Sequence, residues 1–168
     1  VIIAMHHEQN MQKMGGLKQY MPITYWTMFI AALASSGVPG FSGFFSKDAI
    51  IEAVHFANIP GAEFAYFCVL TTVFVTALYT FRLIFMTFHG QPRMDSHTKE
   101  HLHESPWVVT LPLVVLAIPT VISGWFIGSI VFGDYFANAI YIASAHDAIE
   151  KLRVEFTGIG GMMIHALS

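Results

Sequence analysis

The chain has 168 residues, of which 55% are hydrophobic and only 11% charged, and its mean hydropathy is +0.58. Soluble domains carry roughly 25% charged residues, so the composition argues against an ordinary soluble domain. Disordered chains are poor in apolar and aromatic residues, so it excludes a disordered chain. The formal net charge of −3 gives no basic surface for a nucleic acid. The single cysteine, Cys68, cannot form a disulfide within the chain.

Three stretches contain no Asp, Glu, Lys or Arg: 19–46, 64–81 and 105–133. A helix that crosses the hydrocarbon core of a membrane needs about 20 apolar residues. Buried helices of a soluble protein are the alternative, but three such runs exceed what a soluble core of this size needs. The sequence therefore predicts an all-α, polytopic bundle of transmembrane helices.

The first apolar run is too long for one straight span, and its interior contains Gly37, Pro39, Gly40 and Gly43. Proline removes a backbone donor and glycine adds backbone freedom, so we predict a discontinuous helix over about 22–57. Its halves would be 22–36 and 46–57, joined by an unwound stretch near 37–45. Ser46 is the expected N-cap of the second half.

Further along the chain we expect continuous spans over about 62–88 and 106–132. Beyond them, Ala145, Ile149, Leu152 and Phe156 follow one another at helical spacing. This pattern predicts an amphipathic helix over about 137–156 that lies at the membrane interface. Residues 1–133 would thus be a transmembrane domain, and 134–168 an interfacial segment leading to a truncated further span. Because the chain starts at Val1, we expect it to be a piece of a longer protein.

The basic residues are unevenly distributed between the predicted loops. Lys13 and Lys18 lie before the first span, and Arg82, Arg93 and Lys99 lie near the end of the second span or after it. The short turn 58–62 has no basic residue. Loops rich in Lys and Arg stay in the cytoplasm. The asymmetry predicts that 11–21 and 89–104 are cytoplasmic.

Lys47 is the strongest candidate for a functional residue, because a cation in the membrane interior is costly and usually has a function. It follows the Gly/Pro break directly. Burial favours the neutral form of an amine, so a lysine here is suited to taking up and releasing a proton. The alternative, that Lys47 and Asp48 mark the aqueous edge of the first span, stays open.

Other titratable residues extend the candidate path. At helical spacing Lys47 and His55 share one face, and Asp48 and Glu52 share the neighbouring face. His6 and His7 follow an apolar segment that looks like the end of a preceding span. His97, His101 and His103 lie in a polar loop, where solvation is the simpler explanation and metal binding the alternative.

Four segments resemble one known family: HHEQNMQKMGGL at 6–17, PITYW at 22–26, GFSGFFSKD at 40–48 and LYTFRLIFMTFHG at 78–90. They are similar to the antiporter-like membrane subunits of proton-pumping NADH:quinone oxidoreductase, respiratory complex I, a family that includes bacterial subunit L and mitochondrial chain 5. The Mrp-type cation/proton antiporter subunits share part of the pattern.

The resemblance implies a proton-translocating subunit that couples electron transfer from NADH to quinone to proton pumping; an Mrp-type antiporter subunit is the alternative. In this family the lysine of the FSKD string, here Lys47, ends the proton path, and His6 and His7 match the end of the preceding helix. NADH, FMN, iron–sulfur clusters and quinone are expected on other subunits of the complex, and no cofactor or metal in this chain. The expected partners are those subunits and the lipid bilayer, in the inner (plasma) membrane of a bacterium rather than of a mitochondrion.

Overall fold

The structure, a computed structural model, describes residues 1–126 together with Ile130, Tyr135 and Gly161. All regular structure in this part of the chain is helical, which confirms the all-α prediction. Two short 3-10 turns come first, and five α-helices and a last 3-10 turn follow. Their bounds are Met11–Lys13, Leu17–Gln19, Pro22–Ser36 (α1), Ser42–His55 (α2), Ala62–Phe88 (α3), Ser96–His101 (α4), Trp107–Ile122 (α5) and Ser123–Phe126.

Two of the predictions fall outside the described residues. The proposed interfacial helix over 137–156 is one of them, and the further span at the end of the 134–168 segment is the other. Helix α5 and the turn that follows it occupy most of the predicted third span, 106–132. The part of that span beyond residue 126 lies largely outside the described residues.

Ring contacts between helices show in which direction each of α1, α2 and α3 runs. The ring of Tyr25, near the start of α1, lies 5.4 Å from that of Phe88 at the end of α3. The ring of His55, at the end of α2, lies 5.1 Å from that of Tyr66 near the start of α3. Hence α1 and α2 run together in one direction, α3 returns beside them, and the turn 56–61 lies at the opposite end from the loops 8–21 and 89–106.

Both α3 and the stretch from α5 through residue 126 are long and apolar enough to cross a membrane. The 27 residues of α3 correspond to about 40 Å at the rise of an α-helix. Large apolar side chains on α3 are exposed, including Phe64 at 73% and Phe74 at 68%. A core helix of a soluble protein would bury such side chains, so these surfaces match a helix that faces lipid or other membrane helices.

The best-packed core lies at the end of the bundle that carries the loops 8–21 and 89–106. Leu17, Ile84 and Phe88 are almost completely buried there, together with Tyr25. The two loops are also hydrogen-bonded to each other, from Gly16 N to His89 O at 3.1 Å. A rigid cap of loop residues therefore closes this end of the bundle.

The break between α1 and α2 is shorter than predicted. Gly37 adopts a left-handed φ of +76° and donates to Ala34, while Val38 donates to Leu33; this pair of bonds forms a Schellman motif, which ends α1. The next turn has Pro39 in its second position and a glycine of positive φ in its third, the arrangement of a type II turn, and it closes with a 3.3 Å bond.

The predicted unwound stretch 37–45 and the predicted second half 46–57 were therefore wrong in their bounds. Because the turn completes the break by residue 41, α2 begins at Ser42 and ends at His55. Ser46 is not an N-cap, since it lies inside α2 and its hydroxyl donates to the carbonyl of Gly43 at 3.3 Å. The prediction of a discontinuous helix in this segment is confirmed.

Candidate functional site at the broken helix

Lys47 lies in the second turn of α2 and bridges the two halves of the broken helix. Side chains on a helix lean toward its N-terminus, so the lysine reaches back across the break. Its Nζ donates to the carbonyl oxygen of Ser35, in the last turn of α1. The side chain is half-buried, and its stem passes next to Gly37, where an added Cβ would lie 3.4 Å from Lys47 Cδ.

The carbonyl to which Lys47 donates belongs to the last turn of α1. The last carbonyls of a helix lack partners within it, and the Schellman motif of α1 satisfies those of Leu33 and Ala34. The carbonyl of Ser35 is left for the ammonium. The C-terminal end of a helix also carries a partial negative charge that attracts cations, so the end of α1 is an electrostatic partner for Lys47.

A second polar group lies at the same helix end. The side chain of Ser36 is buried, and its hydroxyl has no hydrogen-bond partner among the residues that the structure describes. Serine hydroxyls in helices commonly bond to the carbonyl four residues earlier, and this one does not. Lys47 thus brings an ammonium to the end of α1, at the residue next to the one that carries the buried hydroxyl.

The remaining candidates on α2 follow the spacing that the sequence indicated, because residues 47–55 are helical throughout. Asp48 and Glu52 are half-buried, one turn apart, and His55 is exposed. The His55 ring is tilted against that of Tyr66, and both line an open pocket of about 790 Å³ that Glu63 also lines. Exposure thus increases from Lys47 toward His55 at the far end of α2.

His6 and His7 do not join this group. Both side chains are exposed and both residues have a left-handed backbone, with φ of +51° and +68°. The His6 ring lies 6.0 Å from that of His97, which is 4.9 Å from that of His101, so these histidines belong to the loop end of the bundle. That end is separated from Lys47 by roughly the length of α1, which is about 22 Å for its 15 residues.

No group of three or more His, Cys, Asp or Glu side chains suited to a metal ion occurs within residues 1–126 or at the three other described positions. The histidine cluster near α4 therefore has ring contacts but no metal-binding arrangement there. Metal binding by His97, His101 and His103 therefore stays an alternative that rests on the sequence alone.

The sequence analysis missed Glu104, which binds the start of α1. Its carboxylate accepts hydrogen bonds from the backbone N–H groups of Ile23 (2.8 Å) and Thr24 (3.3 Å) and from the hydroxyl of Thr24 (2.6 Å). Glu104 lies two positions before Pro106, the N-cap of α5, and could have been noticed as a capping residue. The backbone donors that it caps, however, lie 80 and 81 positions earlier in the chain.

The pKa of Glu104 reflects these contacts. Its partial burial favours the neutral acid and raises the pKa, but the hydrogen bonds from Thr24, Ile23 and Ser105 favour the carboxylate and together hold the pKa below its usual value. Glu104 is therefore a carboxylate at neutral pH, bound to the N-terminal end of α1.

A second missed contact links α1 to the loop after α3. Tyr25 is buried, and its hydroxyl lies 3.2 Å from Nε2 of His89. Both residues are in strings that carry the family resemblance, but their sequence separation of 64 positions hides the contact.

The comparison with known families agrees with this architecture. Residues 1–88 match the transmembrane family of NADH:quinone oxidoreductases and Mrp antiporters. The chain belongs to this family. Residues 79–144 match a second family, the C-terminus of NADH dehydrogenase subunit 5.

Similar proteins of this family come from bacteria and from eukaryotes. NADH-quinone oxidoreductase subunit L of Neisseria meningitidis serogroup B is 48% identical over an alignment of 184 positions, covering 99% of this chain and 27% of the relative. Subunit L of Rhodobacter capsulatus is 42% identical over 87% of the chain and 22% of its own length. NADH-ubiquinone oxidoreductase chain 5 of Chondrus crispus is 36% identical over 87% and 23%. The chain thus spans about a quarter of the length of these relatives.

Proposed function

We propose that this chain is part of a proton-translocating membrane subunit of NADH:quinone oxidoreductase, complex I, with Lys47 as a proton carrier. The observation that carries the proposal is the position of Lys47. Its ammonium lies at the break of a membrane helix and donates to the C-terminal end of α1. Irregular backbone at membrane depth is tolerated where it is packed in protein or lines a wet cavity, and broken helices of this kind form ion sites in transporters.

In the proposed function, Lys47 takes up and releases one proton. When Lys47 is charged, the carbonyl of Ser35 and the helix end stabilise the ammonium. When the proton leaves, the neutral amine no longer needs that partner. Asp48, Glu52 and His55 would continue the path along α2, and His6 and His7 would act at the loop end; these roles stay predictions.

The alternative is a subunit of an Mrp-type cation/proton antiporter, because the family that matches residues 1–88 contains both kinds of protein. The second family match, to the C-terminus of NADH dehydrogenase subunit 5, favours the complex I subunit. The two functions differ in what copurifies with the full-length protein: peripheral redox subunits in the first case, and only small membrane subunits in the second.

In the proposed complex, NADH, FMN, the iron–sulfur clusters and quinone bind to other subunits, which together with the lipid bilayer are the partners of this one. The similarity to bacterial subunits L supports a location in a bacterial plasma membrane. The loops 8–21 and 89–106 would lie in the cytoplasm, as the distribution of their basic residues indicates.

The test is substitution of Lys47 in the full-length protein within its assembled complex. We expect Lys47→Met to abolish most proton pumping because the side chain can no longer bind a proton. Lys47→Arg should also impair pumping, since a guanidinium stays charged at any accessible pH. Proton uptake into membrane vesicles during NADH oxidation is the measurement, and Lys99→Met, which removes an exposed loop lysine, is the control.

Two results would contradict the proposal. Normal pumping by Lys47→Met, with the complex assembled, would mean that Lys47 only packs or marks the edge of the span. Normal pumping by Lys47→Arg would exclude a lysine that must lose its proton.

A further inference from the structure

The N-terminus of α1 has no cap of its own. Its N-cap residue, Met21, offers no side-chain hydrogen bond, and Pro22 is the first helical residue. Pro22 has no N–H, so Ile23 and Thr24, at the second and third positions, carry the first backbone donors that need a partner. An N-cap side chain normally satisfies these two positions.

Glu104, 80 positions after Thr24 in the sequence, takes over that function. One carboxylate oxygen accepts from both backbone N–H groups, and the other accepts from the Thr24 hydroxyl. The second oxygen also accepts from the N–H of Ser105 at 3.1 Å. The carboxylate thus links the start of α1 to the loop that leads into α5.

This placement puts opposite charges at the two ends of α1. The Glu104 carboxylate lies at the N-terminus, where the helix carries a partial positive charge, and the Lys47 ammonium lies at the C-terminus, where it carries a partial negative charge. The helix between them is a single rigid element of 15 residues. A displacement of its N-terminus therefore moves the carbonyl of Ser35 as well.

We propose that Glu104 is a positioning residue for Lys47: by capping α1, it fixes the helix whose far end holds the Lys47 ammonium. This inference rests on the proposed function of Lys47. The role of Glu104 is separate from proton carriage, because its carboxylate is occupied by four hydrogen bonds at the loop end of the bundle.

The test compares three variants of the full-length protein in its assembled complex: Glu104→Ala, Glu104→Gln, which keeps a carbonyl oxygen as acceptor, and Glu100→Ala, which removes an exposed carboxylate from the same loop. In Glu104→Ala we expect the amides of Ile23 and Thr24 to exchange hydrogen about fivefold faster, the effect of losing a typical N-cap. We also expect fewer protons pumped per NADH oxidised. In Glu104→Gln both the amide exchange rates and the number of protons pumped per NADH should stay close to those of the unaltered protein. Glu100→Ala should change neither quantity.

The ratio of protons pumped to NADH oxidised distinguishes a positioning role from an effect on stability alone. Loss of assembled complex lowers the rates of proton pumping and of NADH oxidation together and leaves their ratio unchanged. Unchanged amide exchange in Glu104→Ala overturns the cap, and faster exchange with a normal ratio overturns the positioning role. If Glu104→Ala does not assemble, Thr24→Val removes one of the bonds at nearly constant volume. We expect it to lower the ratio by a smaller amount, and a normal ratio would overturn the inference.

Proton pumping by Lys47→Met is measured separately, in membranes prepared in the same way. If Lys47→Met pumps normally, the proposed function fails, and the positioning role fails with it. If Lys47→Met stops pumping while Glu104→Ala keeps a normal ratio, only the inference about Glu104 fails.

Discussion

Two residues one turn apart on α2, Gly43 and Lys47, determine how the halves of the broken helix meet. Gly43 was expected to help unwind the chain, but it lies inside α2 with ordinary helical geometry. A Cβ at this position would collide with the carbonyl of Ala34. Its small size lets the first turn of α2 pack directly against the last turn of α1, which brings Lys47 within reach of Ser35.

At this scale we predict that Gly43→Ala destabilises the full-length protein by about 1–3 kcal/mol, the usual cost of forcing a group into a packed site. The two helix halves must separate to admit the methyl group, so the contact of Lys47 with α1 should weaken too. The measurement is the thermal midpoint of the purified complex in detergent. Ser46→Ala, an exposed position on the same helix, is the control, and equal midpoints for the two variants would contradict the predicted collision.

At the scale of whole elements, α1 and α4 show two ways of capping a helix. Asp95 caps α4 from the adjacent position in sequence, accepting from the N–H of Thr98 at 3.0 Å and from its hydroxyl at 2.6 Å. The start of α1 depends instead on Glu104, which is remote in sequence. The first kind of cap can be predicted from the chain around it; the second requires the helices to be packed.

The cap of α4 leads to a prediction about pH. The hydrogen bonds from the Thr98 hydroxyl and then from its N–H lower the pKa of Asp95 below its usual value of 3.8. A lowered pKa in the folded state means that the carboxylate stabilises α4 above pH 3.8 and that this contribution is lost as the pH falls through the lowered pKa.

We therefore expect the Thr98 amide to lose protection from hydrogen exchange as the pH falls below 3.8, relative to the same amide in Asp95→Asn. Asparagine is also a good N-cap but does not titrate, so this variant separates the loss of the carboxylate from the general effect of acid. An identical pH dependence in the two proteins would show that Asp95 is not the titrating cap.

At the scale of the whole molecule, the helices of the described part of the chain run between two ends whose loops differ in charge. The loops 8–21 and 89–106 are joined to each other, partly through Arg93, which donates to the backbone carbonyls of Gln12 at 2.8 Å and of Met11 at 3.2 Å. The turn 56–61, without a basic residue, lies at the other end. This arrangement agrees with the charge asymmetry read from the sequence.

The topology predicts opposite accessibility for two engineered cysteines in the full-length protein. In a Cys68→Ser background, Gln91→Cys should react with a membrane-impermeant maleimide only from the cytoplasmic side, and Asn58→Cys only from the opposite side, because one bilayer separates the two loops. Both parent residues are exposed. Labelling is measured in right-side-out and inverted vesicles, and reaction of both cysteines from the same side would refute a membrane crossing by α3, the helix between them.

The sequence by itself determined the helical class, the number of apolar segments, the limits of α3 and the existence of the break, since each depends on local composition or on Gly and Pro. It also identified Lys47 as the unusual cation. The end of the break at residue 41 follows from a local turn whose bounds the sequence analysis placed too late. Only the tertiary structure decided that the Lys47 side chain reaches Ser35 on the other helix half, that His6 and His7 lie far from that lysine, and that Glu104 caps α1. These facts depend on packing between segments distant along the chain, and such contacts leave no local pattern in the order of the residues.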